Sequence, residues 1–138
     1  MTENKDFARE LETRTRAASM RHPPLGRLKT VFGKYPGIQA VYLFGSCASG
    51  RAKAESDLDL AVLADDAGLR RRRIDILADL AAEGFCSVDL VFPSEDDIVL
   101  LHEAVRLNHI VYQRPDFDGS TVFSLVVRRY LDFVPYLK

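Results

Sequence analysis

A glycine–serine pair, followed ten residues later by two closely spaced aspartates, constrains the fold of this chain more than any other feature. Gly45-Ser46 ends an apolar run over 38–44, and Asp57-Leu58-Asp59 opens a second run that ends at 63. Short apolar runs bounded by glycine and polar residues are typical of buried strands. The pattern therefore predicts two strands, 38–44 and 57–63, with a turn after the first of them.

Helical and strand-like patterns alternate through the rest of the chain. The predicted helices cover about 3–20, 24–32, 47–50, 67–83, 95–107 and 120 onward, and two further strands cover 86–92 and 110–112. Ser94 is the predicted N-cap of the helix at 95, and Gly84 the predicted C-terminal stop of the helix before it. We expect an α/β (α+β) fold, a small mixed sheet flanked by helices, in one domain over 1–138. Residues 1–22 and 118–138 would be peripheral additions.

Composition limits the functions that the chain can have. A length of 138 residues with 47% hydrophobic and 28% charged residues is typical of one globular domain. The net charge of −1 gives no basic field, so we expect no direct binding of nucleic acid. No apolar run has the length of a membrane span or a signal peptide, which predicts a cytoplasmic protein. Cys47 and Cys86 have no zinc-ligand spacing, and Cys86 is expected to be buried.

The two aspartates point to a metal site. Residues two apart in a strand project to the same side, about 6.5–7 Å from each other, so the carboxylates of Asp57 and Asp59 share one face. They repel each other unless a cation lies between them, and Mg²⁺ prefers such oxygen ligands. Asp89 is the single acidic residue of the apolar strand 86–92, where burying it without a partner would be costly. We therefore predict that Asp57, Asp59 and Asp89 bind two Mg²⁺ ions.

The glycine–serine pair is suited to binding the phosphates of a nucleotide. Gly45 has no side chain, so its backbone can approach a phosphate closely. Ser46 would start the short helix 47–50, where free N–H groups attract anions, and its hydroxyl can donate a further hydrogen bond. Arg51 and Lys53 follow in the loop and could reach a triphosphate. These residues predict a nucleotide-binding turn next to the metal site.

The stretch 43–63 resembles the GSx10DxD signature of the DNA polymerase beta-like nucleotidyltransferase superfamily, and the chain is similar over 24–112 to its minimal nucleotidyltransferase domains. In this resemblance Gly45 and Ser46 match the glycine–serine pair, Asp57 and Asp59 the two metal-binding aspartates, and Asp89 the third. The resemblance implies a nucleotidyltransferase fold, two Mg²⁺ ions and ATP as substrate.

The resemblance also implies a partner. Many minimal nucleotidyltransferases are antitoxins encoded beside a HEPN-domain toxin, and they transfer AMP from ATP to a tyrosine of that toxin, which silences its RNase activity. Other members modify small molecules such as aminoglycosides, but normally carry an added acceptor-binding domain, for which this chain has little room. Three hypotheses stay open: a protein adenylyltransferase antitoxin in a homo- or hetero-oligomer, an antitoxin that acts by occlusion without catalysis, and a small-molecule nucleotidyltransferase.

Other charged clusters have simpler interpretations. Four consecutive helical residues spread around most of a helix, so Arg70–Arg73 is interpreted as a solvated surface in preference to a contact with an acidic partner or RNA. Asp96 and Asp97 would complement the positive start of a helix, and Asp65 and Asp66 would lie in a loop or cap the next helix.

Overall fold

One mixed sheet organises the fold. The computed structural model describes residues 23–45 and 57–136. Within those ranges the strands are β1 (Ile38–Phe44), β2 (Leu58–Ala64), β3 (Val88–Val91) and β4 (Ile110–Gln113). Their order across the sheet is β3-β2-β1-β4, with β2 and β3 parallel and β1 antiparallel to both of its neighbours. The predicted small mixed sheet is confirmed.

Helices cover both faces of this sheet. They are α1 (Leu28–Phe32), α2 (Arg73–Ala82), α3 (Ile98–Val105) and α4 (Gly119–Phe133), and short 3₁₀ helices cover Leu25–Arg27, Ala67–Arg72 and Val134–Tyr136. None of the helices in the described ranges combines the length and apolarity that a membrane span requires. This arrangement of helices on a mixed sheet is the α+β architecture predicted from the sequence.

The first face of the sheet is covered by α1 and α2. Fully buried side chains from α1 and α2 pack there against alternate strand residues, and the cluster consists chiefly of Leu28, Phe32, Ile76, Leu80, Val41, Leu43, Leu58, Leu60, Val62 and Leu90. Each large aliphatic or aromatic side chain buried in this way contributes about 1.5–3 kcal/mol relative to exposure. Burial on this face fixes the direction in which the other strand residues point.

The second face of the sheet is covered by α3 and α4. Here Ala61 and Leu63 of β2 pack with Tyr42 of β1 and with Leu101 and Val105 of α3. Side chains alternate along a strand, and Leu58 and Leu60 point into the first core, so Asp59 projects toward this second side.

Several predicted helix boundaries shift in the structure. The predicted helix 67–83 is divided into the 3₁₀ segment Ala67–Arg72 and α2, and the Asp66 carboxylate accepts a 2.8 Å hydrogen bond from the Gly68 amide as its cap. The prediction that Ser94 caps the next helix is wrong. Asp97 accepts from the Leu100 amide at 3.2 Å instead, and α3 begins at Ile98 with its apolar face already inward.

The ends of the third strand also differ from the prediction. Cys86 is exposed and not buried as expected, because β3 begins only at Val88 and the preceding residues lie outside the sheet. Gly84 adopts a φ of +98° after α2, which confirms it as the residue that ends that helix. The predicted helices 3–20 and 47–50 lie outside the described residues.

Candidate functional site

Two of the three predicted carboxylates lie side by side on adjacent strands. In the parallel pairing of β2 and β3, Asp59 is the register partner of Asp89, as Leu60 is of Leu90. Both leucines belong to the core on the first face, so the alternation of side chains directs both aspartates to the second side. Residues 30 positions apart in sequence therefore meet on one side of the sheet.

Gly45 is packed directly against one of these carboxylates. It follows β1 at the point where Phe44 pairs with Asp59, and its φ is +73°. A Cβ atom built on Gly45 would overlap the Oδ2 atom of Asp59 and would lie 3.0 Å from its Cγ. A glycine is needed here both for the left-handed backbone and for the space occupied by the carboxylate.

The electrostatic environment of Asp59 disfavours its charged form. Burial raises the pKa of its carboxyl above the usual range, and the negative charges of Asp89 and then Asp57 raise this pKa further. Burial withdraws water from the carboxylate, and like charges nearby add repulsion. A cation bound among these groups would relieve both effects.

Asp57 and Asp89 each contact a side chain to which the sequence analysis gave no role in the site. Ser87 donates a hydrogen bond from its Oγ to the Oδ1 of Asp57, at 2.5 Å. The Arg73 guanidinium lies 3.8 Å from the Oδ1 of Asp89. The contact of Ser87 could have been found from the sequence, because aligning Asp59 with Asp89 in parallel register places Ser87 beside Asp57. The contact of Arg73 could not, because no local pattern distinguishes Arg73 from its neighbours.

The donor set has the right chemistry for a magnesium ion, although it is not assembled as a coordination shell. Among the residues in 23–45 and 57–136, no three or more His, Cys, Asp or Glu side chains are gathered closely enough to hold a metal ion. Asp57, Asp59 and Asp89 nevertheless offer hard oxygen donors, and burial, together with repulsion from its two neighbours, raises the pKa of the Asp59 carboxyl. Coordination would require these carboxylates to come closer to one another than they lie in this structure. Ser46, Arg51 and Lys53 lie outside the described residues.

Comparisons with known proteins bear on the same region. The family model for the polymerase beta nucleotidyltransferase domain matches residues 27–117, a range that contains Gly45 and all three aspartates. The protein adenylyltransferase MntA of Shewanella oneidensis is 35% identical over 78 residues, which are 56% of each chain. The chain thus spans little more than half the length of this curated relative.

Solved structures with a similar fold include two toxin–antitoxin structures. One is a toxin–antitoxin with AMP-PNP, at a TM-score of 0.67 and 25% identity, covering 80% of this chain and 90% of that chain. The other is a mutant of the toxin–antitoxin MntA-HpeT, at a TM-score of 0.63 and 26% identity, covering 78% and 85% of the two chains. The fold described above is therefore similar to that of these chains.

Proposed function

Because this chain belongs to the polymerase beta nucleotidyltransferase family, we propose that it transfers AMP from ATP to a tyrosine of a HEPN-domain toxin, as the antitoxin of that toxin. The observation that carries the proposal is the packing of Gly45 against Asp59, with Asp89 in register beside it. A glycine turn held against a pair of aligned carboxylates is an arrangement suited to a nucleotide and its metal ions. ATP as the substrate also implies a cytoplasmic location.

Each site residue has a distinct part in this proposal. Asp57, Asp59 and Asp89 would hold the Mg²⁺ ions, which supply positive charge to neutralise the triphosphate and the departing pyrophosphate. Gly45 has no side chain of its own, so its backbone would allow a phosphate to approach closely next to the Asp59 carboxylate. Ser46, which follows it, would donate its hydroxyl to a phosphate oxygen.

The reaction is a displacement at phosphorus. The phenol oxygen of the acceptor tyrosine forms a bond to the α-phosphorus of ATP, and the bond from that phosphorus to the oxygen of the leaving pyrophosphate breaks. The phenol proton passes to the carboxylate of Asp89, the most accessible of the aligned pair, which acts as the general base. AMP is thereby joined to the toxin, and pyrophosphate is released.

The acceptor is inferred from the relatives. The similar curated protein is a protein adenylyltransferase, and the similar solved structures are of toxin–antitoxin systems, one of them with AMP-PNP. In the described part of the chain, helices cover both faces of the sheet, and the carboxylates remain accessible at Asp57 and Asp89. A folded protein that presents a tyrosine can therefore reach the site where Asp57 and Asp89 are exposed.

The test is an AMP-transfer reaction. The purified chain is incubated with a HEPN-domain protein encoded in the same genome, MgCl₂ and ATP labelled at the α-phosphate, and the labelled tyrosine is identified by mass spectrometry. We expect label on the HEPN protein with the wild type and none with the double variant Asp57→Asn, Asp59→Asn, although the complex still forms. Protection from the toxin by this variant at equal abundance would favour occlusion, and label only on an added aminoglycoside would favour the small-molecule hypothesis.

A further inference from the structure

Arg73 reaches the candidate site from a helix on the other face of the sheet. It is the first residue of α2, which packs on the first face, whereas Asp89 faces the second side. β3 is one of the two edge strands of the described sheet, so a long side chain can pass around it. The result is the 3.8 Å ion pair between the Arg73 guanidinium and the Asp89 Oδ1.

The neighbouring arginines are engaged elsewhere. Arg70 donates a 2.8 Å hydrogen bond to the carbonyl of Phe92, and the Arg72 guanidinium lies 4.9 Å from the centre of the Tyr35 ring. Arg71 is exposed, with no ion pair or hydrogen bond to another side chain in the described ranges. Within this basic run, Arg73 alone meets a residue of the candidate site, and Arg71 is a matched neighbour for comparison.

The contact between Arg73 and Asp89 is of a kind that breaks easily. Its distance exceeds that of a good hydrogen bond, so the attraction is mainly between charges. Both side chains are about half exposed, at 48% and 51%, so solvent screens the attraction. The pair therefore opposes the movement of Asp89 toward Asp59 only weakly, and a stronger cation can replace it.

We propose that Arg73 is a resident counter-ion of Asp89 that competes with divalent metal for this carboxylate, an inference that rests on the proposed function. The guanidinium partly offsets the negative charge beside Asp59. A divalent cation attracts the same oxygen more strongly, and its binding must break the ion pair and overcome repulsion from Arg73. Arg73 thus lowers the affinity of the site for metal. It is a positioning residue and not a metal ligand.

The experiment measures Mg²⁺ affinity without nucleotide, by calorimetric titration of MgCl₂ into the full chain. We expect Arg73→Gln to bind Mg²⁺ about two- to five-fold more tightly than the wild type, as fits the loss of one exposed ion pair. Arg71→Gln makes the same charge change one residue away and should alter the affinity by less than about 1.5-fold. Arg73→Met should behave like Arg73→Gln and replaces it if the glutamine variant does not fold.

A second background separates the ion pair from a general charge effect. In a chain carrying Asp89→Asn, the further change Arg73→Gln should raise the remaining Mg²⁺ affinity by clearly less than it does in the wild-type background, since the ion pair is already gone and only repulsion between Arg73 and the cation remains. Equal affinities for Arg73→Gln and Arg71→Gln, or weaker binding by Arg73→Gln, would overturn the inference while leaving the proposed function intact. Absence of Mg²⁺ binding by the wild type, with and without ATP, would overturn both.

Discussion

Replacing Gly45 by alanine tests both reasons for a glycine at this turn. A residue with a Cβ atom at the φ of +73° costs about 1–2 kcal/mol relative to glycine. The new Cβ would also overlap the Asp59 Oδ2. Moving the Asp59 side chain away from its preferred rotamer costs about 0.5–1.5 kcal/mol more. We therefore expect Gly45→Ala to lower the free energy of unfolding by about 1.5–3.5 kcal/mol.

The assay is urea unfolding followed by circular dichroism. With a slope of about 1–3 kcal/mol per molar urea, the midpoint should fall by roughly 0.5–3.5 M. Gly26→Ala is the matched control, because a Cβ atom at Gly26 meets nothing within 4 Å and its change should stay within about 0.5 kcal/mol. The displaced carboxylate should also reduce AMP transfer in Gly45→Ala. Equal midpoints and equal transfer for the two variants would refute the reasoning.

Two further changes test the charge of the site and the core beneath it. The folded-state pKa of Asp59 is raised, so its ionisation costs stability as the pH rises above the usual aspartate range. Asp59→Asn should therefore melt at a higher temperature than the wild type at pH 7 without divalent ions. The difference between the two melting temperatures should vanish toward about pH 4, and Mg²⁺ should stabilise only the wild type. A lower melting temperature of the variant at pH 7 would contradict this. Leu80→Ala removes a fully buried side chain of α2 and should cost about 3–5 kcal/mol in urea unfolding, whereas Ile74→Ala on the same helix, 74% exposed, should cost less than about 0.5 kcal/mol; similar losses for both would contradict the assigned core.

Features set by local periodicity could be predicted from the sequence. The run 38–44 forms β1 over the same residues, and the alternation of Leu58, Asp59 and Leu60 correctly predicts which side chain leaves the core. Asp89 lies beside Asp59 because the parallel register of β2 and β3 pairs the two residues. Its side chain is 51% exposed, so the burial cost expected from the sequence is not what places it there. The correct inferences depend on side-chain alternation.

Features that depend on competition between similar groups, or on distant contacts, could not be predicted. Ser94 and Asp97 are both good N-caps three residues apart, and the choice of Asp97 is made by how Ile98 packs on the sheet. The contact of Arg73 with Asp89 depends on the position of α2 at the edge strand. The spacing of residues in the sequence shows which of them share a face of a helix, but not where that helix packs against a sheet.

A crystal grown with MnCl₂ and a non-hydrolysable ATP analogue would test the central claim most directly. An anomalous difference map locates manganese independently of the surrounding side chains. The account predicts a peak at coordinating distance from the carboxylates of Asp57, Asp59 and Asp89, with the triphosphate against the Gly45 backbone. Manganese and nucleotide bound away from these carboxylates, or Asp89 still paired with Arg73 beside a fully occupied ion, would contradict it.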